Sequence, residues 1–544
     1  MYTPLQHTRP RLRQIQLKPP RWLQLLAVFV LVLGVFFRFV NLDRKVYWAD
    51  ETYTSLRISG YTATEVVKQV FNGNLVSSKE IQKYQRTSPE RNFSDTVKGL
   101  ALEEPQHPPL YFLMARFWVQ WFGNSVAVTR SLSALLSLLV FPCLYWLCIE
   151  LFESSATGWM AVALLAVSPF HMLYAQEARQ YSLWTGTILL ASAALLRAIK
   201  RKTKLSWGIY AVSLSLGLYS FLLTGLVAIS HGIYVLFIES FRLTKTVIAY
   251  VLASLLGYII FVPWLVIVIA NSNAVGNKTN WINNSVSKVV LLKEWLRSIR
   301  ILFLDFNLSF SSLSLPVRLL DIFIFGIVIY SIYFLLRKTP KPIWLFILSL
   351  IGVTWLALAL PDLIVGGQRS TITRYLIPSF LGLQLAVAHL LATGITSANL
   401  LYRKIWQFLS VMLIVLGISS CIILSQAQTS WNKYQGSETA IEVAQTINQK
   451  RRPLVLSEAA GGYGEGEPDA NVGDIFSLSY LLDSKVQMLL VVEPNVPQIP
   501  NGFSDVFLYN PSEKLRPAIE ARNYKVKPAL QASDEPILWK LEKR

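Results

Sequence analysis

The chain has 544 residues, 53% of them hydrophobic and only 15% charged, with a mean hydropathy of +0.42. A soluble domain carries about 25% charged residues, so an ordinary water-soluble globule is excluded. The formal charge of +19 does not point to nucleic acid, because the basic residues form short clusters beside apolar blocks and no basic segment interleaves with aromatics.

Arg9, Arg11, Arg13, Lys18 and Arg21 precede the first apolar block, residues 23–40, whose only charge is Arg38. The block is longer than a signal-peptide core and no small-residue cleavage site follows it, so a retained first span is expected. Further blocks lie near residues 130–149, 157–174, 181–197, 206–222, 223–239, 246–266, 318–336, 342–360, 375–393 and 405–425. A helix crossing ~30 Å of hydrocarbon needs roughly 20 residues, which predicts about eleven spans. Basic clusters at 197–204, 242–245, 337–341 and 403–404 each abut a block. This is the positive-inside pattern, with the cations facing anionic lipid. Parity then places residues 41–126, 175–180, 271–315, 361–373 and everything after about 426 outside. The expected location is the plasma (inner) membrane, multi-pass.

Residues 110–122, LYFLMARFWVQWF, are apolar but short, about 20 Å of helix. A crossing here would put four later basic clusters on the wrong side. An interfacial helix is expected instead, with Trp118 and Trp121 at headgroup depth. After residue 426 the character changes. A helix is predicted over 439–450, strands over 453–457, 486–492, 505–509 and 537–540, and a helix over 512–522. This suggests a small α/β domain outside the membrane. Its loop Gly461-Gly-Tyr-Gly-Glu-Gly466 is a poor phosphate cradle, because Glu465, Glu467 and Asp469 would repel phosphate. The expected division is a basic cytoplasmic arm 1–21, a transmembrane unit 22–425 with a first outer loop 41–126, and an outer domain 426–544. Cys143, Cys148 and Cys421 lie inside apolar blocks and form neither a disulfide framework nor a metal pair.

Four outer-face motifs carry candidate chemistry. The first is Tyr47-Trp48-Ala49-Asp50-Glu51, where adjacent carboxylates point different ways and can take separate roles; on local sequence alone a solvated loop pair is the favoured reading. The second is Gln176-Glu177-Ala178-Arg179-Gln180-Tyr181, whose guanidinium suits a phosphate or, alternatively, a membrane-edge anchor. Gln106-His107-Pro108-Pro109 holds a histidine at the start of the interfacial helix. Finally, Gln368 to Pro378 supplies Arg369, Arg374 and Tyr375. Such a site suits a substrate with an anionic head and a lipid tail. The cytoplasmic loops are too short to build a site for a soluble sugar nucleotide.

Together the Asp-Glu pair, His-Pro-Pro-Leu-Tyr, Glu-Ala-Arg-Gln-Tyr-Ser-Leu and Arg-Tyr-Leu-Ile-Pro resemble the GT-C membrane glycosyltransferases. The branch is that of family 39, with protein O-mannosyltransferases and aminoarabinose transferases, and the resemblance covers roughly residues 20–425. It implies a polytopic α-helical fold and an inverting transfer of sugar from a polyprenyl-phosphate donor to an acceptor on the outer face. The acceptor class (lipid, polysaccharide or protein) stays open. By the same resemblance Asp50 is the base, Glu51 supports it, and Arg179 and Arg374 hold the departing phosphate. His107, Glu177, Tyr181 and Tyr375 line the cavity. Where aminoarabinose transferases have Glu-Lys before the prolines, this chain has Gln106-His107, so a divalent metal is left open. A lipid-carrier flippase is the alternative; it would place charges at mid-membrane.

Overall fold

The computed structural model describes residues 20–307, 315–430, 434–460, 471–493, 495–532 and 535–544. Most of the basic N-terminal arm and the glycine-rich stretch 461–466 lie outside these. Among the described residues eight helices are long and apolar enough to cross a membrane: Arg21–Phe39, Val126–Phe152, Tyr181–Arg201, Lys245–Ala270, Val317–Lys338, Lys341–Ile364, Thr373–Ile395 and Leu400–Gln426. The protein is therefore an integral membrane protein. Each of these helices coincides with one apolar block of the sequence. The 157–174 block is a pair, Ser155–Ala166 and Pro169–Ala175, bent by 63°. The remaining two blocks fall on Lys204–Ser220 and Thr224–Ile238, of 17 and 15 residues, short of the roughly 20 that a full crossing needs. Against the expectation of about eleven spans, eight helices among the described residues have the length and composition of a span, nine if the bent pair counts as one, and the two short helices make up the rest.

The bend is held by the first helix. Gly34 lies so close to the Ser155–Ala166 helix that a Cβ there would sit 2.5 Å from the Ala166 carbonyl oxygen. One turn on, the buried Arg38 donates from Nη1 to Gly34 O and Ala166 O, both at 2.8 Å, and from Nη2 to Leu165 O at 3.3 Å. It thereby caps the carbonyl of Ala166 at the end of the broken helix and adds a donor to that of Leu165. An arginine inside an apolar block is thus explained by backbone capping.

All four basic clusters lie at the far ends of the helices from the loops that carry the motifs. Tyr181–Arg201 begins at Tyr181 and ends in the first cluster. Lys245–Ala270 starts in the second, and near its other end Trp264 Nε1 donates to Pro105 O at 3.0 Å. Leu400–Gln426 ends where Asn41 Nδ2 donates to Ser425 O at 3.0 Å.

Residues after 430 build five strands of a six-stranded sheet ordered β1-β3-β2-β4-β6-β5. The strands are β1 Leu75–Ser77, β2 Pro453–Glu458, β3 Gln487–Val491, β4 Asp505–Tyr509, β5 Tyr524–Ala532 and β6 Glu535–Lys543. β2 is parallel to both β3 and β4; the remaining pairings are antiparallel. All four expected strands are present. β1 and β5 were not foreseen, and β1 comes from the first loop. The apolar core beneath the sheet is shared in the same way: Leu56, Val66 and Ile81 pack with Val443, Val455, Phe476 and Leu490. The C-terminal segment therefore closes over the first loop. The helix Leu110–Phe122 forms as expected, with Phe117, Trp121 and Phe122 exposed and Arg116 buried, donating to Ile58 O at 2.6 Å.

Candidate functional site

Asp50 and Glu51 open a helix, Ala49–Ser59, that starts after extended Trp48 and stops at Gly60, whose φ of 85° suits glycine. Two acids in its first turn favour the positive end of the helix dipole. Neighbouring helical positions face different ways, and the two carboxylates separate accordingly. Glu51 is wholly buried and accepts from Arg130 Nε at 2.8 Å, Arg130 Nη2 at 2.6 Å and the Ala178 N–H at 2.8 Å. Arg130 also donates to the carbonyls of Leu42, Lys45 and Val46. This pair pins the turn before the Asp50 helix to the Val126–Phe152 span and to the 176–180 loop. Glu51 therefore has a positioning geometry. Arg130 was not singled out from the sequence, although a lone cation at the head of an apolar block was the signal.

Asp50 is 28% exposed, with Oδ2 3.8 Å from Arg374 Nη2. Arg374 lies among the rings of Trp48, Tyr181 and Tyr375, 5.6–6.0 Å from their centroids, and its buried Nε has no hydrogen-bond partner. Tyr181 and Tyr375 both pack on Phe221, at 5.9 and 5.8 Å. Phe221 lies in the turn between the two short helices.

Arg179 donates from Nη1 to Asp50 O and to Thr54 Oγ1, each at 3.1 Å. Its Nη2 lies 3.0 Å from His107 Nε2, and its buried Nε has no hydrogen-bond partner. Burial alone would lower the guanidinium pKa; Asp50, Tyr181 and Glu104 outweigh it and hold Arg179 firmly charged. A guanidinium only donates, so His107 Nε2 accepts and the neutral ring carries its proton on Nδ1. Nδ1 faces the Gln180 side-chain amide at 3.0 Å. With the amide turned so that Oε1 accepts, a buried oxygen otherwise without a hydrogen-bond partner is satisfied. Burial first, then Arg179, depress the His107 pKa well below the ordinary histidine value, so the ring is neutral at physiological pH. Glu177 is buried, and its carbonyl accepts from the Arg179 N–H at 2.7 Å.

The other cation of the 368–378 motif, Arg369, stands apart, paired with Asp362 at 3.0 Å. Glu103 and Glu104, the carboxylates nearest the departure before the prolines, both pair with the buried Arg57, at 2.6 and 2.7 Å. Burial would push them up, but Arg57 overrides it and holds both below the usual carboxylate range. Among the described residues no three of His, Cys, Asp and Glu gather as a metal-binding group. Glu103, Glu104 and Glu51 are committed to guanidinium groups, which does not suit them to hold a divalent cation.

The C-terminal segment reaches this site through the helix Val472–Ser479, which was also unforeseen. A Cβ on its Gly473 would lie 2.7 Å from the Tyr53 ring and 3.1 Å from Ala49 Cβ. Thr52 Oγ1 donates to Gly473 O at 3.2 Å, and the Tyr47 and Tyr480 rings meet edge-on at 5.1 Å. Gly473 thus sits on the turn that presents Asp50.

Residues 106–267 match a family model described as dolichyl-phosphate-mannose-protein mannosyltransferase. No curated protein matches the chain. The fold is similar to two crystal structures of ArnT from Cupriavidus metallidurans. One, bound to undecaprenyl phosphate, has 13% identity and a TM-score of 0.54 over 96% of this chain and 98% of that one. The apo structure has 12% identity and the same TM-score over 96% and 97%. A polytopic helical fold like that of ArnT, as the motifs led one to expect, is therefore present along nearly the whole chain.

Proposed function

We propose that this chain, with its GT-C fold, is a glycosyltransferase moving a sugar from a polyprenyl-phosphate donor to an acceptor hydroxyl on the outer face of the membrane. The observation that carries this reading is the pairing of a partly exposed carboxylate, Asp50, with two guanidiniums, Arg374 and Arg179, each with a buried Nε that has no hydrogen-bond partner. Such a set suits a multivalent anion. A lipid phosphate supplies one, and the aromatic rings around Arg374 offer an apolar wall beside it. The ArnT structure with undecaprenyl phosphate shows that this fold accommodates such a lipid, which supports the same ligand class here.

The geometry suggests an order of events. Before the donor arrives, Arg374 neighbours Asp50. An incoming phosphate carries more charge than a carboxylate and accepts bidentate hydrogen bonds, so Arg374 turns from Asp50 to the phosphate. Asp50 is then free to take a proton from the acceptor hydroxyl. Oxygen attacks the anomeric carbon, the bond to the phosphate breaks with inversion, and the developing charge on the leaving phosphate is stabilised by Arg374 and Arg179. His107 stays neutral and holds Arg179 in place; Glu51 holds the helix. The positive-inside clusters, all at the opposite helix ends, support an extracytoplasmic site and C-terminal segment, in the plasma (inner) membrane. The helix Leu110–Phe122, which exposes Phe117, Trp121 and Phe122 and buries Arg116, then lies in the interface.

The test is the donor dependence of the Arg374→Gln variant in purified, reconstituted protein supplied with a radiolabelled polyprenyl-phosphate sugar. The half-saturating donor concentration should rise by an order of magnitude or more, about 1.5–3 kcal/mol for a hydrogen bond to a charged group. An unchanged donor dependence would reject Arg374 as the phosphate-binding residue.

A further inference from the structure

At the basic end of the helices, about 30 Å from Tyr181 along the Tyr181–Arg201 helix, the groove between Lys204–Ser220 and Lys245–Ala270 encloses about 500 Å³. Its mouth carries Lys202, Lys204 and Lys245; its walls include Trp207, Leu252 and Leu256. The three lysines are exposed, and no carboxylate pairs with any of them among the described residues. Lys204 and Lys245 each open a helix whose first turn holds no acid. Lysine there opposes the helix dipole, an arrangement that a bound anion relieves. Leu252 and Leu256 are half-exposed, so the groove is open along its apolar side as well as at its cationic mouth. A soluble anion would use only the mouth, whereas a molecule with an anionic head and a hydrocarbon tail matches both.

We propose that this groove is a binding site for one anionic glycerophospholipid, its phosphate among Lys202, Lys204 and Lys245 and one acyl chain against Trp207 and Leu256. The site is separate from the catalytic loops and does not depend on the transferase reading. It is a defined groove with a one-to-one stoichiometry, beyond the general attraction of basic loops to a charged leaflet.

The experiment is native mass spectrometry of the full-length, delipidated protein in detergent, titrated with phosphatidylglycerol or phosphatidylcholine. One phosphatidylglycerol should bind per chain in preference to phosphatidylcholine. The triple variant Lys202→Gln, Lys204→Gln, Lys245→Gln should lose about a hundredfold in affinity. Gly208 lines the same groove and has nothing within 4 Å of the position a Cβ would take. Gly208→Leu therefore fills the groove without a clash and should expel the lipid with all three lysines in place. Equal binding of the two lipids, retention by either variant, or displacement of phosphatidylglycerol by inorganic phosphate would overturn the proposal.

Discussion

Replacing Glu51 by alanine leaves Arg130 buried beside a missing partner and the Ala178 N–H without its acceptor. Both side chains of the pair are essentially inaccessible, 0% and 1% exposed. Breaking such a pair from one side costs about 3–5 kcal/mol, and the orphaned amide adds roughly 1–3 kcal/mol. Arg130 keeps its three carbonyl acceptors, which argues for the lower end, about 4 kcal/mol in all. Asp50→Asn, one residue away, removes a partly exposed carboxylate whose charged neighbour lies 3.8 Å off, and should change stability by less than about 1 kcal/mol. The assay is thermal unfolding of both variants in detergent, followed by size-exclusion recovery, beside sugar transfer in membranes. Glu51→Ala should lower the thermal midpoint markedly and reduce abundance, whereas Asp50→Asn should keep both and abolish transfer. A Glu51→Ala variant with the parental midpoint but no transfer would refute the division of roles, because Glu51 would then act in the chemistry itself.

Three further outcomes are expected. Gly473→Val should crowd Tyr53 and Ala49 and tilt the Asp50 turn, lowering kcat several-fold with little change in donor KM; parental kcat would detach the C-terminal segment from the site. His107 titrates well below its ordinary value in the folded chain, while the unfolded imidazole protonates near pH 6.5. The unfolded chain therefore takes up the proton first, and stability conferred above pH 6.5 is lost as pH falls below it. His107→Gln should flatten that part of the stability profile between about pH 6.5 and 5, and an unaltered profile would contradict the assignment. Arg179→Ala should weaken donor dependence and also lower kcat, since Arg179 holds the Asp50 carbonyl and His107 together; a pure KM effect would place it on the donor alone.

The transmembrane part was legible because apolar runs report helices directly, and every one of the eleven blocks falls on a helix. Their lengths did not reveal that two helices fall short, since a turn such as 221–223 is itself apolar. The four motifs were legible as segments between or beside the spans. Three of them, at 50, 107 and 179, converge on Arg179, which meets the Asp50 carbonyl and the His107 ring, and Arg374 completes the set. Arg369, of the same motif, does not, because Asp362 holds it. What the sequence hid was long-range pairing. Glu51 with Arg130 spans 79 positions, and β1 joins a strand some 410 positions later, Leu75 opposite Leu489. Three residues of strand carry too little periodicity to be read alone.

The central question is whether the chain moves sugar off a lipid phosphate at Asp50. The most direct measurement is the fate of label from a radiolabelled polyprenyl-phosphate sugar incubated with reconstituted parental protein or Asp50→Asn, with membrane acceptors supplied. Label should leave the lipid carrier for an acceptor only with the parental chain, releasing free polyprenyl phosphate. Label that stays on the carrier and merely changes leaflet, or normal transfer by Asp50→Asn, would contradict it.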